Sequence, residues 1–519
     1  MNTTREFLPL SNGTSVPWAD VPEWPADEFV VATAAELDHG GRLCAWFGVP
    51  ENSATRLVAV IAFDAENTLA VGRSAPVTKS YPSLTLRHPQ AHLFEREVWE
   101  QHGLMPEGHP WLKPVRRQNG GHPAVGEFFR VEGGEIHEVA VGPVHAGIIE
   151  PGHFRFQCNG EEVLHLEIAL GYQHRGAEEA LTGGPQRAAM SQMETVAGDT
   201  TIGHATAYAT ILESLAGTEA PLRAQWLRAI ALELERLANH TGDLGALAND
   251  VAFLPTSAAC GKIRGDFLNL TALLCGNRFG RGLIRPGGCK HDLETERAAQ
   301  LLDKLRVALA EVNQAAEWLW DSNSVRARFE FTGTVSAGQA AEIGLVGVGA
   351  RASGLVRDVR FDHPAGWHRF APIPVAVWPG GDVFARARVR WLEIQRSAKF
   401  IEEQLAAPPD GETMEQSFNS SWQGGASVSA SWGEGEILSN GGSRGRPPHQ
   451  LAVALVEGWR GEVCHVALTD SAGKFRRYKI VDASFHNWSG LELAMRGQAI
   501  SDFPICNKSF NLSYCGFDL

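Results

Sequence analysis

The sequence predicts an α+β protein of two domains: residues 1–125 form a small α+β unit, and residues 126–519 a larger, mainly helical unit with flanking β-strands. Three observations lead to this. Short β-prone runs separated by polar turns, FVVATAAEL, RLCAWFGV, RLVAVIAFDA and TLAVGRSA, fill the opening part. A Gly- and Pro-rich stretch, RRQNGGHPAVGE, then breaks the pattern within 116–135 and reads as a linker. After it, the apolar spacing changes to that of long helices.

Composition narrows the function classes. At roughly 150 residues per domain, 519 residues allow about two to four domains. Hydrophobic residues at 44% and charged residues at 20% are those of a globular chain. Lys plus Arg number 46 against 60 Asp plus Glu, and a net charge of −14 opposes binding to nucleic acid or anionic lipid. The 8 cysteines are thinly spread without a C-x-x-C pair, so reduced thiols in a cytosol are expected rather than a disulfide scaffold or a self-contained zinc site. The opening MNTTREFLPL has no basic-then-apolar leader pattern, and no uncharged apolar run reaches the ~18 residues that span a bilayer.

The elements follow in order. LFEREVWEQHGL has helical spacing and closes the first domain. The second opens with a strand pair, EVAVGPV and HFRFQCNGEEVLHLEIAL, turning at Asn159-Gly160. Helices are predicted over 191–216, 221–254, 258–276, 294–319 and 384–405. In the longest, Trp226, Ile230, Leu234 and Leu237 share one face and belong to the core. Arg236, His240, Asp243 and Asp250 share another, which is either a solvated face or a charged chain. Residues 408–449 read as a loop-rich excursion, and EVCHVAL and RRYKIV as closing strands.

Several motif matches fail on context. Gly441-Gly442-Ser443-Arg444-Gly445 fits G-x-S-x-G, but Arg446-Pro447-Pro448 cannot open the helix that a nucleophile elbow needs. EIGLVGVGARASG has glycines without the dinucleotide spacing, so close packing explains them better. The 19 histidines are scattered rather than spaced as metal ligands.

Other stretches are informative together. Glu95-Arg96-Glu97, Gly103 and Gly108-His109-Pro110 stand in the first domain. Gly142-Pro143-Val144-His145, Glu150-Pro151, Tyr172-Gln173-His174-Arg175-Gly176, Glu235-Arg236-Leu237-Ala238-Asn239-His240, Asp250 and Arg285-Pro286-Gly287-Gly288 follow in the second. Trp459-Arg460-Gly461-Glu462 and Ser484-Phe485-His486-Asn487-Trp488 come last, where the resemblance that these stretches carry implies closing strands. In this order they resemble the large subunit of membrane-bound energy-converting nickel–iron hydrogenases and the quinone-site large subunit of respiratory complex I. The first domain is similar to the small peripheral-arm subunit of complex I that precedes the large one and is often fused to it.

The resemblance implies an oxidoreductase subunit at the cytoplasmic face of a bacterial inner membrane, coupling electron transfer to proton or ion translocation. It implies as partners a small subunit carrying a [4Fe–4S] cluster, a ferredoxin-like iron–sulfur subunit, and antiporter-like and subunit-H-like membrane proteins. Quinone and NAD belong to the family's chemistry. The hydrogenases hold nickel and iron with thiolates from two C-x-x-C pairs, soft ligands suited to those metals. Aligned on His204 and Tyr208, the first pair falls on Ala197-Gly198-Asp199-Thr200, and the second lies within Asp502–Ser509, which keeps Cys506. Cys515 lies beyond it, and the family's arginine over the iron falls on Val481. A nickel–iron centre is therefore not expected. The quinone-holding His and Tyr fall on Ile149 and Gly198, with His145, His153 and Tyr208 near enough in sequence to substitute.

Roles implied for single residues keep their alternatives. Glu150 stands at the proton-transfer glutamate, or is a loop carboxylate before Pro151. Arg175, beside His174, projects toward the partner's cluster, or pairs with Glu178 or Glu179. His240, Asp243 and Asp250 form a charged chain toward membrane subunits, or an architectural ion network. Asp199 and Thr200 offer oxygen ligands to a hard cation; Arg285 and Tyr208 complete the cofactor-facing set, and Cys506 is a ligand or a buried thiol. Glu150, Asp199, Thr200 and Cys506 are expected around one cavity. The rival to an enzyme subunit is a non-catalytic scaffold that couples to an ion transporter; a true nickel–iron hydrogenase with unusual ligands is the third reading.

Overall fold

A computed structural model describes residues 6–116, 126–147, 149–186, 188–415 and 449–519. The expected domain boundary at 125 and the G-x-S-x-G stretch lie outside the described residues.

The first domain is built on a five-stranded sheet. Strands β1 (Leu8–Leu10), β6 (Thr68–Ser74), β5 (Ala54–Phe63) and β4 (Arg42–Glu51) pair in that order, and β3 (Glu23–Trp24) joins β6 in parallel. FVVATAAEL, read as a strand, is instead helix α1 (Ala26–Asp38). Pro25 precedes it, acids fill its first turn, and Phe29, Val30, Thr33, Ala34 and Leu37 are buried at helical spacing. Its Phe29 ring stacks on Trp46 of β4 at 5.2 Å. A small parallel pair, β7 (Ser80–Pro82) with β8 (Met105–Glu107), flanks the predicted helix α2 (His92–His102).

The Glu95-Arg96-Glu97 stretch on α2 ties pieces together. Glu95 is fully buried and accepts from Ser83 Oγ and Thr85 Oγ1 at 2.6 Å each, bracing the turn after β7. Arg96 donates to the carbonyls of Lys113 and Pro114. Glu97 reaches into the second domain, where Lys479 lies 2.6 Å away, and also pairs with Arg116.

The second domain begins with a three-stranded antiparallel sheet, β9 (Ile136–Val141), β10 (His153–Asn159) and β11 (Glu162–Ala169), turning at Gly160-Glu161, one residue on from the expected Asn159-Gly160 step. Short helices α3 (Ala177–Leu181) and α4 (Ala189–Met193) lead to α5 (Thr201–Ala216), α6 (Leu222–Asp250) and α7 (Leu254–Cys275). A hairpin, β12 (Ile284–Arg285) with β13 (Gly288–Cys289), precedes α8 (Thr295–Asp321). Helices α9 (Asn323–Phe329), α10 (Ala337–Glu342), α11 (Gly347–Ala352) and α12 (Val359–Asp362) then lead to α13 (Val383–Ala406). The core is α6 packed along α7 and α13, with α8 against α7. Trp226, Ile230, Leu234 and Leu237 are fully buried as expected, but Arg236 and His240 are equally buried and Asp243 is 4% exposed. The second stripe of α6 is therefore not a solvated face; only Asp250, at the helix end, is exposed.

The chain closes with β14 (Gln450–Glu457), β15 (Glu462–Thr469) and β16 (Phe475–Val481). Their sheet takes β2 (Thr14–Pro17) as its fourth strand, paired antiparallel with β14, so the amino-terminal segment is woven into the second domain. Arg42 of β4 adds a two-pronged bond to Glu462 at 2.8 Å per prong. Ser484–Trp488, expected on a strand, lies on α14 (Ala483–Ala494), because Asp482 caps that helix through Ser484 N–H at 2.8 Å. Helices α15 (Phe503–Phe510) and α16 (Tyr514–Asp518) end the chain. Among the described residues, no helix is long and apolar enough to cross a membrane.

Candidate functional site

Four segments meet along one edge: residues 142–147 and 149–152 after β9, the His174-Arg175-Gly176 turn, the 195–200 stretch before α5, and residues 511–519. Exposed Arg175 fastens three of them, donating to the carbonyls of Thr195 (2.8 Å), Val196 (2.8 Å) and Cys515 (3.0 Å). His174 Nδ1 lies 2.7 Å from the Asp518 carbonyl. Glu150 stands beside Cys515, whose thiol burial pushes up, with Glu150 adding to the rise and the Gly198 N–H opposing it. Gly142 is required here: it has φ +83°, and a Cβ would lie 2.1 Å from the Gly152 carbonyl oxygen.

Beside this edge, Arg460 clamps Asp199. Its Nη1 and Nη2 donate to the two carboxylate oxygens at 2.5 and 2.8 Å, while Nε donates to the Asn511 carbonyl at 2.6 Å. Trp459 Nε1 and Asn239 Nδ2 both donate to the Asp199 carbonyl. The crossing chain leaves no room: a Cβ on Gly347 would lie 2.0 Å from the Arg460 carbonyl oxygen, which explains that glycine of EIGLVGVGARASG by close packing. Next to Asp199, Glu235 of α6 accepts from Ile202 N–H at 2.8 Å, and its other oxygen has no partner. Burial, with Asp199 adding to it, raises the Glu235 carboxyl to about 8.

The clamp opens onto a buried polar chain between α6 and α13. Asn511 Nδ2 donates to Asp243 Oδ1 at 2.6 Å, and Arg390 Nε to Asp243 Oδ2 at 2.6 Å. One turn along, His240 Nε2 lies 2.6 Å from Glu393. Glu393 also meets Arg351 at 2.6 Å and Arg236 at 3.3 Å. Beyond lie Glu457, paired with Arg351 at 2.7 Å, and Arg360, paired with Glu233 and Asp358. Burial is the largest influence on each group, and the neighbouring guanidiniums outweigh it at Glu393 but not at Glu457. Despite burial, Arg351 holds Glu393 well below the carboxylate range. Glu457 is raised to about 7 by burial, and His240 is lowered by burial despite Glu393. A side branch runs from Asp482 through His204 (3.0 Å) and His465 (3.1 Å) to the Tyr478 hydroxyl (2.9 Å).

The structure thus brings Glu150, His174, Arg175, Asp199 and Thr200 to one edge, and His240 and Asp243 to the chain behind it. Five expectations are corrected. Cys506 is not at the edge: its Sγ packs under Gly333, where a Cβ would come within 2.6 Å, and burial raises its thiol to about 12. The thiol at the edge is Cys515. Arg175 pairs with carbonyls rather than Glu178, which binds Lys479 and Arg477. Asp250 lies about 10 Å beyond Asp243 at the rise of an α-helix and makes none of the chain's contacts; although it is exposed, partial shielding of its carboxyl raises it, opposed by Lys508. His145 bonds the Gly152 carbonyl at 2.9 Å and packs on Phe154, whereas Tyr208 packs on Phe475 and Tyr478 with its hydroxyl unpartnered. These two do not form a donor pair. Arg285 braces Glu194 at 3.6 Å, away from the clamp.

Neither of the family's ligand sets fits these residues. Ala197 has no donor atom, and Ser509 at the second thiolate pair accepts Arg386 Nε at 2.8 Å. Both Asp199 oxygens belong to Arg460, so they do not offer a cation site either; among the described residues no three His, Cys, Asp or Glu side chains group as metal ligands. Sequence reasoning quoted Glu235 and Arg460 without giving either a role, and missed Arg390, Glu393 and Asp482. The buried stripe on α6 signalled that partners must exist, but not where.

The sequence model described as respiratory-chain NADH dehydrogenase, 49 Kd subunit, matches residues 250–518, and that described as the 30 Kd subunit matches residues 28–125. Formate hydrogenlyase subunit 5 of Escherichia coli (strain K12) is 30% identical over 458 residues, covering 84% of this chain and 76% of that protein. NADH-quinone oxidoreductase subunit 4 of Thermus thermophilus is 27% identical over 382 residues, covering 71% of this chain and 90% of that protein. The fold matches a chain of the membrane-bound sulfane sulfur reductase, an archaeal respiratory membrane complex, with a TM-score of 0.64 at 23% identity, over 74% of this chain and 99% of that one. The chain belongs to the family of the 49 Kd subunit of respiratory-chain NADH dehydrogenase, which includes large subunits of membrane-bound hydrogenases, with a 30 Kd-subunit domain fused in front.

Proposed function

We propose that this chain is the redox-module subunit of a membrane-attached, complex-I-like oxidoreductase, working without a nickel–iron centre and handling protons beside electron transfer carried by its partners. The observation behind the reading is the Asp199–Arg460 clamp. It stands in the stretch aligned with the family's first thiolate pair, and it leads into a buried acid–base chain. Glu235 beside it, at about 8, can take up and release a proton near neutrality. Glu457 at about 7 can do the same at the far end. The partners in this reading are a small subunit carrying a [4Fe–4S] cluster, docked on the Arg175 edge, a ferredoxin-like iron–sulfur subunit, and antiporter-like and subunit-H-like membrane proteins. The chain then sits peripherally on the cytoplasmic face of the inner membrane.

A second reading, a coupling scaffold without redox chemistry, is favoured by Arg386, which occupies the hydrogen-bonding capacity of Ser509. A redox titration of the intact complex followed by EPR separates them. Exposed Arg175 would raise the potential of a cluster docked on its edge, so Arg175→Met is expected to lower that cluster's midpoint potential. An unchanged potential, or no reducible cluster, would reject the redox reading and leave the scaffold.

A further inference from the structure

A cavity of about 530 Å³ lies between α5, α6, the end of β14 and the 363–369 loop, and no residue of the Arg175 edge lines it. Its size is that of a small-molecule site, for which about 300–1,000 Å³ is usual. We propose that it binds a neutral small molecule bearing a carboxamide or lactam edge, a donor and an acceptor side by side on a compact apolar body. The site lies away from the Arg175 edge, though Glu457 and Arg360 of the buried chain line it, and it does not depend on the function proposed above.

Neutrality follows from the walls. Each cation that lines the cavity is already matched. Arg228 makes a two-pronged pair with Glu213 at 2.6 and 3.1 Å. Arg360 is held by Glu233 and Asp358, Arg369 by Glu219, and His363 by Asp64. The guanidinium charges are thus compensated, with Arg228 Nε–H the one guanidinium donor among these left without a partner, and an added anion would meet Glu213 and Glu457.

The donor–acceptor edge follows from groups that the protein leaves unpaired. Gln225 is 6% exposed; its Nε2 donates to the Ala220 carbonyl at 2.7 Å, which fixes the amide and leaves Oε1 without a partner. The His368 ring packs on Phe400 at 5.6 Å, with both ring nitrogens buried and unpartnered. Burial lowers its pKa to about 4, so near neutral pH the ring presents one N–H and one lone pair. The Thr206 hydroxyl is likewise unpaired. An acceptor-only atom, Gln225 Oε1, requires an N–H or O–H on the ligand, while His368 and Thr206 can donate to a carbonyl. Leu232 and Leu455 offer apolar surface for the rest of the molecule. A sugar would set hydroxyls against those leucines, and a hydrocarbon would leave Gln225 and His368 unmet.

Three compounds of one shape test this on the intact complex by saturation-transfer NMR: benzamide, benzoate and toluene. Benzamide is expected to bind, and the other two at least about tenfold more weakly. Gln225→Met is expected to weaken benzamide about tenfold, the worth of one hydrogen bond, and to lower the melting temperature modestly as the Ala220 carbonyl loses its donor. Should that variant fail to fold, Thr206→Val gives the same reading from the other side of the cavity. No benzamide binding, which would leave a water-filled hollow only, overturns the proposal. So does equal binding of benzoate or toluene, or benzamide binding that survives both substitutions.

Discussion

Replacing Glu235 by Gln isolates the most unusual ionisation at the edge. The carboxyl is buried against the start of α5 and titrates at about 8 instead of the usual 4.5. A folded-state pKa raised above the unfolded one contributes stability that is complete below 4.5 and is lost as pH rises toward 8. At pH 7 the folded chain must keep a proton that the unfolded chain releases. Over the roughly 2.5 units between 4.5 and 7, at about 1.36 kcal/mol per unit, this costs about 3 kcal/mol. Gln carries no ionisable group and keeps one oxygen for Ile202 N–H, so Glu235→Gln removes the cost without emptying the site. Urea unfolding at pH 5, 6, 7 and 8, followed by tryptophan fluorescence, reads the difference. The variant is expected to be nearly as stable as the parent at pH 5 and about 3 kcal/mol more stable at pH 7. A gap that does not change with pH, or a variant that is less stable at pH 8, would refute the burial argument and remove Glu235 from the proton-handling groups.

Other expectations follow from the same contacts. Asp482 and Glu233 are each held at about 2, against ordinary values of 3.8 and 4.5, so their contribution is present above those values and lost as pH falls toward 2. Acid unfolding should therefore become shallower by about 2–3 kcal/mol in Asp482→Asn, measured as the pH dependence of the urea midpoint. Glu97→Gln strips the shared anion from Lys479 and Arg116 where the two domains meet, and a loss of about 3–5 kcal/mol is expected. Calorimetry should then show the first domain melting separately, and a single unshifted transition would contradict that role. Asp243→Asn leaves Arg390 without its carboxylate and is expected to cost a similar about 3–5 kcal/mol while lowering ion transport by the intact complex; unchanged transport would confine Asp243 to architecture.

The architecture was legible wherever one periodicity ran long enough. The apolar face of α6, the turn between β10 and β11 to within one residue, and strands β4, β5 and β6 all follow from local pattern. Two segments were misread because local and tertiary signals compete. Val30 and Val31 gave α1 a β-branched look that Pro25, Asp27 and the alanines override, and the aromatic run Phe485–Trp488 hid a helix that Asp482 caps. The edge was half legible. Arg175, Asp199 and Glu150 stand together because the 174–176 turn and the 195–200 stretch both close on the carboxyl-terminal residues. The chain behind them was not, since the partners of Asp243 and His240 lie 147 and 153 residues away on α13, and no spacing rule reaches that far. Cys506 was favoured over Cys515 by alignment alone; which way α15 turns its side chains decided otherwise.

Metal analysis of the purified intact complex tests the central claim most directly. Nickel should be absent, and iron should be matched by the acid-labile sulfide of clusters in the partner subunits, because Ala197, Thr200 and Ser509 offer no thiolate and Cys506 is turned away under Gly333. Nickel at close to one atom per chain would contradict the account.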